Sequence, residues 1–354
     1  MLLAGCGAAG APGPADAAPP PADAALPPPG DAGAPAADAA ADLAPARPPN
    51  PTCHAPPHPV LAGLDGLPLH LGETGCFEPG DPTRPLPALV PYRVREALWS
   101  DGAEKDRWLA LKDGDRLHIE RDGDLTVPPG GVLIKTFRDV FSQRRIETRF
   151  YVHHEDGQWS GYTYEWNDAG TDATLLDEGS HRKKVGAQEW HLPSRAECNT
   201  CHTPAAGYTL GLELPQLDYD ERSRLSDLGV FDGPTPTVGL LNEDIRPQSR
   251  ARAYLHANCS GCHRPGVGNA GTIDLRYSTP LAATAACGAE PLKGTLGLGA
   301  DFKIIAPGQP EKSMLVVRMR ELASGRMPPV ASLKVDEGGL ALVTRWISGL
   351  TGCD

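Results

Sequence analysis

Two short motifs carry the residue types that could do chemistry in this chain. Each has two cysteines three positions apart with a histidine directly after them, once as CNTCH and once as CSGCH. This spacing suits a zinc knuckle, a redox-active disulfide or a covalently attached haem. The residues concerned are Cys198, Cys201, His202, Cys259, Cys262 and His263.

Zinc and thiol redox chemistry explain the two motifs less completely than haem does. The paired C-x-x-C units of a zinc ribbon usually lie about 15–20 residues apart, whereas 57 residues lie between Cys201 and Cys259. Zinc also gives no reason for a histidine directly after each pair. A thioredoxin-like motif needs a strand before it and a helix after it, and it does not normally occur twice.

A c-type haem explains every residue of both motifs. The two thiols add to the haem vinyl groups, and the adjacent histidine becomes an axial ligand of the iron. The sequence therefore predicts two covalently attached haems, held through the thiols of Cys198, Cys201, Cys259 and Cys262, with His202 and His263 on the irons.

The second motif lies between two predicted helices. One should begin near Pro247, whose fixed φ suits a first helical turn, and run into CSGCH. The other is the amphipathic stretch EGGLALVTRWISGL, in which apolar residues recur at helical spacing. One face of the first helix carries Ala251, Leu255 and Asn258, with Tyr254 beside them. The apolar stripe of the second is formed by Leu340, Val343, Ile347 and Leu350, with Trp346 flanking it.

Met327 is the predicted sixth ligand of the second haem. It follows His263 by 64 residues, and its sulfur is a soft ligand that often completes a histidine-ligated haem. Pro328 and Pro329 directly after it restrict the loop. Two other methionines, Met314 and Met319, compete for the role, but a predicted helical stripe with Leu315 and Leu322 indicates that Met319 fills the core.

The first motif has no evident sixth ligand. Ser194 and Glu197 predict a capping box that opens a short helix into CNTCH. Only a short segment separates this motif from the second domain, so we expect the first haem to pack between that domain and the preceding region. An empty sixth position is one alternative, and the candidate ligands are His153, His154, His181, His191, His256 and Met319.

Residues from about 85 to 190 predict β structure. The clearest signal is an antiparallel hairpin that turns at Asp156 and Gly157, and further strands are predicted in DRLHIE and GVLIKTF. We interpret Asp101, Glu104 and Asp106 as members of a solvated loop. The alternating residues of the hairpin are Ile146, Thr148, Phe150 and Val152 in one strand, and Trp159, Tyr162, Tyr164 and Trp166 in the other.

The N-terminal region predicts a lipid anchor on a tether. Leu-Ala-Gly before Cys6 is similar to a lipobox, although almost no signal peptide precedes it, so we expect the given start to be truncated or placed too late. The alternative is a chance cysteine after a short apolar run. Residues 7–52 are dominated by Ala and Pro and should be disordered.

The number of cysteines indicates the cellular compartment, and the net charge restricts the classes of partner. With Cys6 and the two motifs set aside, four cysteines remain, which is enough for two disulfides in an oxidising compartment. Cys287 and Cys353 could link parts of the C-terminal domain, and Cys53 and Cys76 are the others. The net charge of −12 argues against a nucleic-acid partner, and no apolar stretch approaches the length of a membrane span.

These segments together resemble a family of bacterial exported dihaem c-type proteins without an assigned reaction. The resemblance covers roughly residues 85–353 and is carried by LWSDGAEKDRWLAL, GVLIKTF, IETRF, GYTYEWNDAGTDATLL, PSRAECNTCH, AYLHANCSGCH and RMPP. It implies a β-rich region before two haem sites, and some relatives look associated with quinoprotein sugar dehydrogenases. It supports haem attachment at the cysteines already named and leaves the physiological partner open.

We therefore expect an α+β multidomain protein. The predicted parts are a lipobox remnant (1–6), a disordered linker (7–52), a β-rich domain (53–190), a first haem-binding segment (191–245) and a class I cytochrome c-like domain (246–354).

The predicted function is a periplasmic, lipid-anchored electron relay. Its donor would be a periplasmic dehydrogenase, and its acceptor another cytochrome or an oxidase. One alternative is a peroxidase-like dihaem enzyme with an open position at the first haem. The other is a β-rich module that binds a substrate or partner, with the haems as the electron outlet.

Overall fold

The architecture is seen in a computed structural model that describes residues 46–54, 67–177, 179–268, 272–330 and 332–354. All of them belong to one unit, Ala44–Asp354. Strands and helices are both abundant, which confirms the α+β class. Cys6 and the expected linker up to residue 45 lie outside the described residues.

The strands of the described chain form one large sheet and three two-stranded ribbons. The sheet is antiparallel, and the order of its six strands is β10-β9-β8-β7-β4-β3. The ribbons pair β1 with β2, β5 with β6 and β11 with β12. The strands are β1 (Phe77–Glu78), β2 (Asp81–Pro85), β3 (Val90–Pro91), β4 (Glu104–Ala110), β5 (His118–Ile119), β6 (Leu125–Thr126), β7 (Val132–Arg138), β8 (Arg145–His153), β9 (Trp159–Trp166), β10 (Ala173–Leu175), β11 (His181–Val185) and β12 (Gln188–Leu192).

The predicted hairpin is confirmed as β8 and β9, and the predicted strand GVLIKTF as β7. Phe150 faces Tyr162 across the hairpin, and Thr148 faces Tyr164. These residues are buried on one face of the sheet, where their core also includes the buried Cys53–Cys76 disulfide. The alternation of apolar or aromatic residues with other residues along the sequence identified this face, because every second side chain of a strand lies on the same side of the sheet.

The prediction of a solvated acidic loop around Asp101 is wrong, because Glu104 and Asp106 lie in strand β4. Both residues pair with Arg138 of β7. Asp101 is buried just before the strand, where its backbone takes a positive φ of 51°. The strand forms because Trp108, Leu109 and Ala110 can be buried in the sheet, which outweighs the acidic composition of its first residues.

The prediction of a disordered segment over residues 7–52 extends too far towards the C-terminus. The Arg47 guanidinium donates to the carbonyl oxygens of Lys112 and Asp115. The Asn50 side chain is buried and donates to the carbonyl oxygens of Cys53 and Leu111. Ordered contacts therefore begin before residue 52, because polar side chains here satisfy backbone groups of the β region.

Five α-helices follow the large sheet in the described chain. Helix α3 begins at the predicted Pro247, and α5 buries the predicted Leu340, Val343 and Ile347, while Leu350 follows the helix and is half-buried. The predicted stripe in α4 is wrong at Leu322, which lies beyond the helix and is 49% exposed. The helices are α1 (Arg195–Cys201), α2 (Tyr219–Asp227), α3 (Pro247–Cys259), α4 (Met314–Arg320) and α5 (Glu337–Ser348).

The C-terminal core forms where α3 and α5 pack together. Buried Tyr254 and Leu255 of α3 share one cluster with Val343 and Ile347 of α5. The second predicted disulfide, Cys287–Cys353, is also present in this region. Closing a loop of this length stabilises a fold by about 4 kcal/mol in the chain-entropy model.

Gly339 permits the close contact of α5 with α3. A Cβ atom at this position would lie 2.3 Å from the Tyr254 ring. We expect Gly339→Ala to lower the free energy of unfolding by about 1–3 kcal/mol, because overpacking forces neighbouring groups to move. Gly338→Ala is the matched control, since its nearest contact would be an ordinary 3.5 Å from the Asp336 carboxylate. Denaturant unfolding measures both variants, and equal stabilities would contradict the packing argument.

Candidate functional site

Helix α1 carries the first motif and is short because local side chains define both its ends. The predicted capping box is present: the Glu197 N–H donates to Ser194 Oγ at 3.2 Å, and the Ser194 N–H donates to Glu197 Oε2 at 2.8 Å. The helix ends at Cys201, so His202 directly follows its last turn. Cys198, Cys201 and His202 are thereby presented from one rigid turn.

The His202 ring is held in a single tautomer and orientation. Its Nδ1 donates to the carbonyl oxygen of Tyr208 at 2.6 Å, and its ring stacks on Tyr151 with centroids 3.9 Å apart. Burial, with a further contribution from the Lys135 charge, lowers the pKa of His202 to about 3. The imidazole is therefore neutral at physiological pH with Nε2 unprotonated, which is the form that binds a metal ion.

Cys198 approaches the sheet at a glycine. A Cβ atom built on Gly161 of β9 would lie 2.6 Å from Cys198 Sγ. Any larger residue would therefore push α1 away from β9, on which it packs. Burial raises the pKa of the Cys198 thiol.

The second motif opens onto a cavity of about 500 Å³. Cys259 is the last residue of α3, and Cys262 and His263 follow it in the next turn. All three line the cavity together with the predicted ligand Met327. The rival methionines Met314 and Met319 line it as well, so Met319 contacts the cavity in addition to the core.

The two motifs are in direct contact with each other. Cys262 Sγ donates to the carbonyl oxygen of Thr200 at 2.9 Å, and Thr203 Oγ1 donates to that of Gly261 at 2.9 Å. The thiols of Cys201 and Cys262 also share a hydrogen bond, which lowers the pKa of Cys262 to about 7. Thr200 and Cys201 are consequently part of the cavity wall at the second motif.

The loop that carries Met327 is attached to the β region by Asp101. The Asp101 carboxylate accepts hydrogen bonds from the backbone N–H groups of Leu333 and Lys334 at 2.8–3.1 Å. The Met327 N–H donates to the carbonyl oxygen of Arg318 at 2.9 Å at the other side of the loop. The residue interpreted from sequence as solvated thus positions a predicted ligand.

Each histidine considered as the sixth ligand of the first haem has at least one ring nitrogen in a hydrogen bond within the described chain. His256 uses both ring nitrogens, one with the Glu213 carboxylate at 2.7 Å and one with the Tyr277 N–H at 2.9 Å. His153 Nδ1 donates to the carbonyl oxygen of Val127 at 2.8 Å. The ring nitrogens of His154, His181 and His191 contact Tyr162, Glu165 and Glu197 respectively.

The four motif thiols do not form a metal cluster. Within the residues that the structure describes, no three side chains of the His, Cys, Asp and Glu types converge as metal ligands would. Two motif cysteines approach each other at the contact between the motifs, while Cys198 lies against the sheet. A four-thiolate zinc site would require all four sulfurs around one point.

A cationic row on the sheet was missed by the sequence analysis. Its members are Lys105 and Arg107 of β4, Lys135 of β7 and Arg149 of β8, which share a face near the first motif. The available signal was a single basic residue inside each of two predicted strands, Lys135 in GVLIKTF and Arg149 in IETRF.

Comparison with known proteins adds no further assignment. No protein-family model, no curated protein and no solved structure matches the chain. The described residues also include no helix with the length and hydropathy of a membrane span. The function must therefore be argued from the site.

We expect Asp101→Asn to loosen the Met327 loop. Asparagine tolerates the left-handed backbone at this position but replaces one accepting oxygen with a donor. Loss of a hydrogen bond to a charged acceptor costs about 1.5–3 kcal/mol, so the amides of Leu333 and Lys334 should exchange at least tenfold faster. Hydrogen exchange tests this, with Asp168→Asn as control because the Asp168 side chain is 91% exposed. Unchanged exchange at both amides would show that Asp101 does not hold the loop.

Proposed function

We propose that this protein is a dihaem c-type electron carrier. The observation that carries the proposal is the cavity at the second motif. It brings Cys259, Cys262 and His263 together with Met327, and its wall includes Cys201 of the first motif.

The second site fits a covalently bound haem. Its volume of about 500 Å³ is within the range of roughly 300–1,000 Å³ that is usual for cofactor sites. Two thiols for covalent attachment, with a histidine and a methionine as iron ligands, are the residues of a His/Met-ligated c-type site. We propose Met327 as the sixth ligand, because it lines the cavity together with His263 and Asp101 anchors its loop to the β region.

The first site fits the same chemistry at its proximal side. His202 is neutral, and its Nδ1 bond to Tyr208 leaves Nε2 unprotonated. Cys198 and Cys201 lie one helical turn apart on α1. These residues would hold the group from one side, and Tyr151 would support the imidazole through ring stacking.

When bound, a c-type haem supplies a reversible one-electron couple. The residues of this chain place the two attachment points side by side, through the contacts of Cys262 with Thr200 and of Thr203 with Gly261. Short separation between the attachment points favours transfer within the chain over transfer through solvent.

We also propose that residues 246–354 are a class I cytochrome c-like domain. The supporting arrangement is a helix that ends in CSGCH, a final helix packed on it and a methionine loop between them. The two disulfides are typical of an oxidising compartment. We infer a periplasmic location, a membrane surface reached through a lipid on Cys6, and redox protein partners with basic or mixed surfaces, given the net charge of −12.

A peroxidase-like enzyme is the second candidate function. The observation that favours it is that His256 uses both ring nitrogens, while His181 and His191 are bonded to carboxylates. An open position at the first iron would admit a small ligand, and the second site would then supply electrons.

Absorption spectroscopy of protein matured with the c-type haem assembly machinery tests the proposal. We expect two covalent haems per chain by pyridine haemochrome, and a methionine-to-iron band that is lost in Met327→Ala but kept in Met314→Ala. Reduced spectra that do not change with CO would support the carrier, while a CO shift of one haem would favour the enzyme. Protein without covalent haem and with zinc at the thiols would overturn both.

Gly161→Ala should impair the first haem site and leave the second one intact. The added methyl group would occupy the space of Cys198 Sγ, so we expect haem content to fall from two per chain towards one. The control is Gly233→Ala, since a Cβ atom there meets nothing within 4 Å. Full haem content in Gly161→Ala would contradict the placement of the first motif.

A further inference from the structure

Four basic side chains form a continuous row on the sheet face beside the first motif. Arg107, Lys135 and Arg149 are direct cross-strand neighbours on β4, β7 and β8. Lys105 lies two residues from Arg107 on the same face of β4. Like charges that face each other across strands destabilise a sheet, so the row requires a compensating interaction.

The described protein neutralises only one of these charges. The fully buried Glu147 carboxylate accepts from Arg149 and from the Trp190 indole at 2.9 Å. Lys105, Arg107 and Lys135 make no ion pair among the described residues, and their side chains donate only to backbone carbonyl oxygens, those of Leu98, Lys105 and Leu210 respectively.

The uncompensated charges are in an unfavourable environment. Burial, followed by the charges of Arg107 and Arg149, lowers the pKa of Lys135 to about 7. Burial and the other three members of the row lower the pKa of Lys105 well below its usual value. A cation that is partly removed from water and has no anionic partner is unfavourable, which indicates that an anionic group belongs here.

The row lies beside the first motif, because Arg149 is two residues from Tyr151 on β8 and the Tyr151 ring stacks on His202. Lys135 and Arg149 lie near the thiols of Cys198 and Cys201. The carbonyl groups that bind Lys105 and Lys135 belong to Leu98 and Leu210, and both residues line the cavity. The row remains accessible, since all four of its residues are only partly buried.

We propose that the cationic row binds the carboxylates of the group attached through Cys198 and Cys201. A haem brings two carboxylates, and lysine and arginine are their strongest hydrogen-bond donors. The group of the second motif has other cations, because Lys293, Arg318 and Arg326 line its cavity. This assignment rests on the proposed function and extends it to a carboxylate-binding site.

Lys135→Met tests the assignment in the haem-loaded protein. Removing the cation should disfavour the ferrous state of the first haem about tenfold, a fall of 59 mV in the midpoint potential of a one-electron couple. It should also shift the carboxylate bands in redox-difference infrared spectra. Arg107→Gln should act in the same direction, Lys135→Arg should restore wild-type behaviour, and the exposed Lys184→Met is the charge-matched control. The first couple is identified by its absence in a Cys198→Ala/Cys201→Ala variant.

The outcomes separate this inference from the proposed function. A fall in the first potential with shifted carboxylate bands, in Lys135→Met and not in Lys184→Met, supports the row as the carboxylate site. Two haems with unchanged bands, or a change only at the second haem, overturns it and leaves the electron carrier standing. A saturable response of the wild-type potential to added acetate, lost in Lys135→Met, also overturns it, because the row would then bind a free anion. Absence of covalent haem from the wild type overturns both.

Discussion

The contact between the two motifs is the constraint on which the rest of the structure depends. The motifs are 57 residues apart in the chain, and they meet because α1 is held on two sides at once. Against the sheet, Gly161 leaves room for Cys198 Sγ. Against the end of α3, the Thr200 carbonyl oxygen accepts from Cys262. Neither contact leaves room for an extra atom. A Cβ atom on Gly161 would lie 2.6 Å from Cys198 Sγ, and the hydrogen bond from Cys262 to Thr200 is 2.9 Å long.

The large sheet provides one face for stability and another for the site. On the first face, aromatic side chains such as Phe150, Tyr162 and Tyr164 form a closed core. On the second, successive cross-strand rows differ in character, from the apolar Leu133 and Tyr151 to the basic Lys135 and Arg149. The stack of Tyr151 on His202 lies next to the basic row, so the sheet orients the imidazole and sets the local charge through adjacent positions of the same strands.

Local patterns predicted those parts of the fold that neighbouring residues determine. The capping box of α1, the proline start of α3 and the β8–β9 hairpin depend on residues a few positions apart, and all three are confirmed. Strand β4 and the role of Asp101 were missed because both depend on residues far away in the sequence. The acidic residues of β4 pair with Arg138, and Asp101 binds the backbone of Leu333. The cationic row was missed for the same reason, since cross-strand register, which no local pattern reveals, places Arg107 beside Lys135 and Arg149.

The charges on this sheet face link its stability to the binding of a group at the first motif. The protein is acidic as a whole, with a net charge of −12, yet the partly buried cations on this face outnumber the one carboxylate, Glu147, that they contact. Acidic residues at the surface cannot compensate them efficiently, because solvent and salt screen charges that lie farther away than about 10 Å. A carboxylate bound directly to the row would reduce the repulsion among Lys105, Arg107 and Lys135, and by linkage it would stabilise the folded sheet. On this reasoning, loading of the first motif and folding of the face beneath it favour each other.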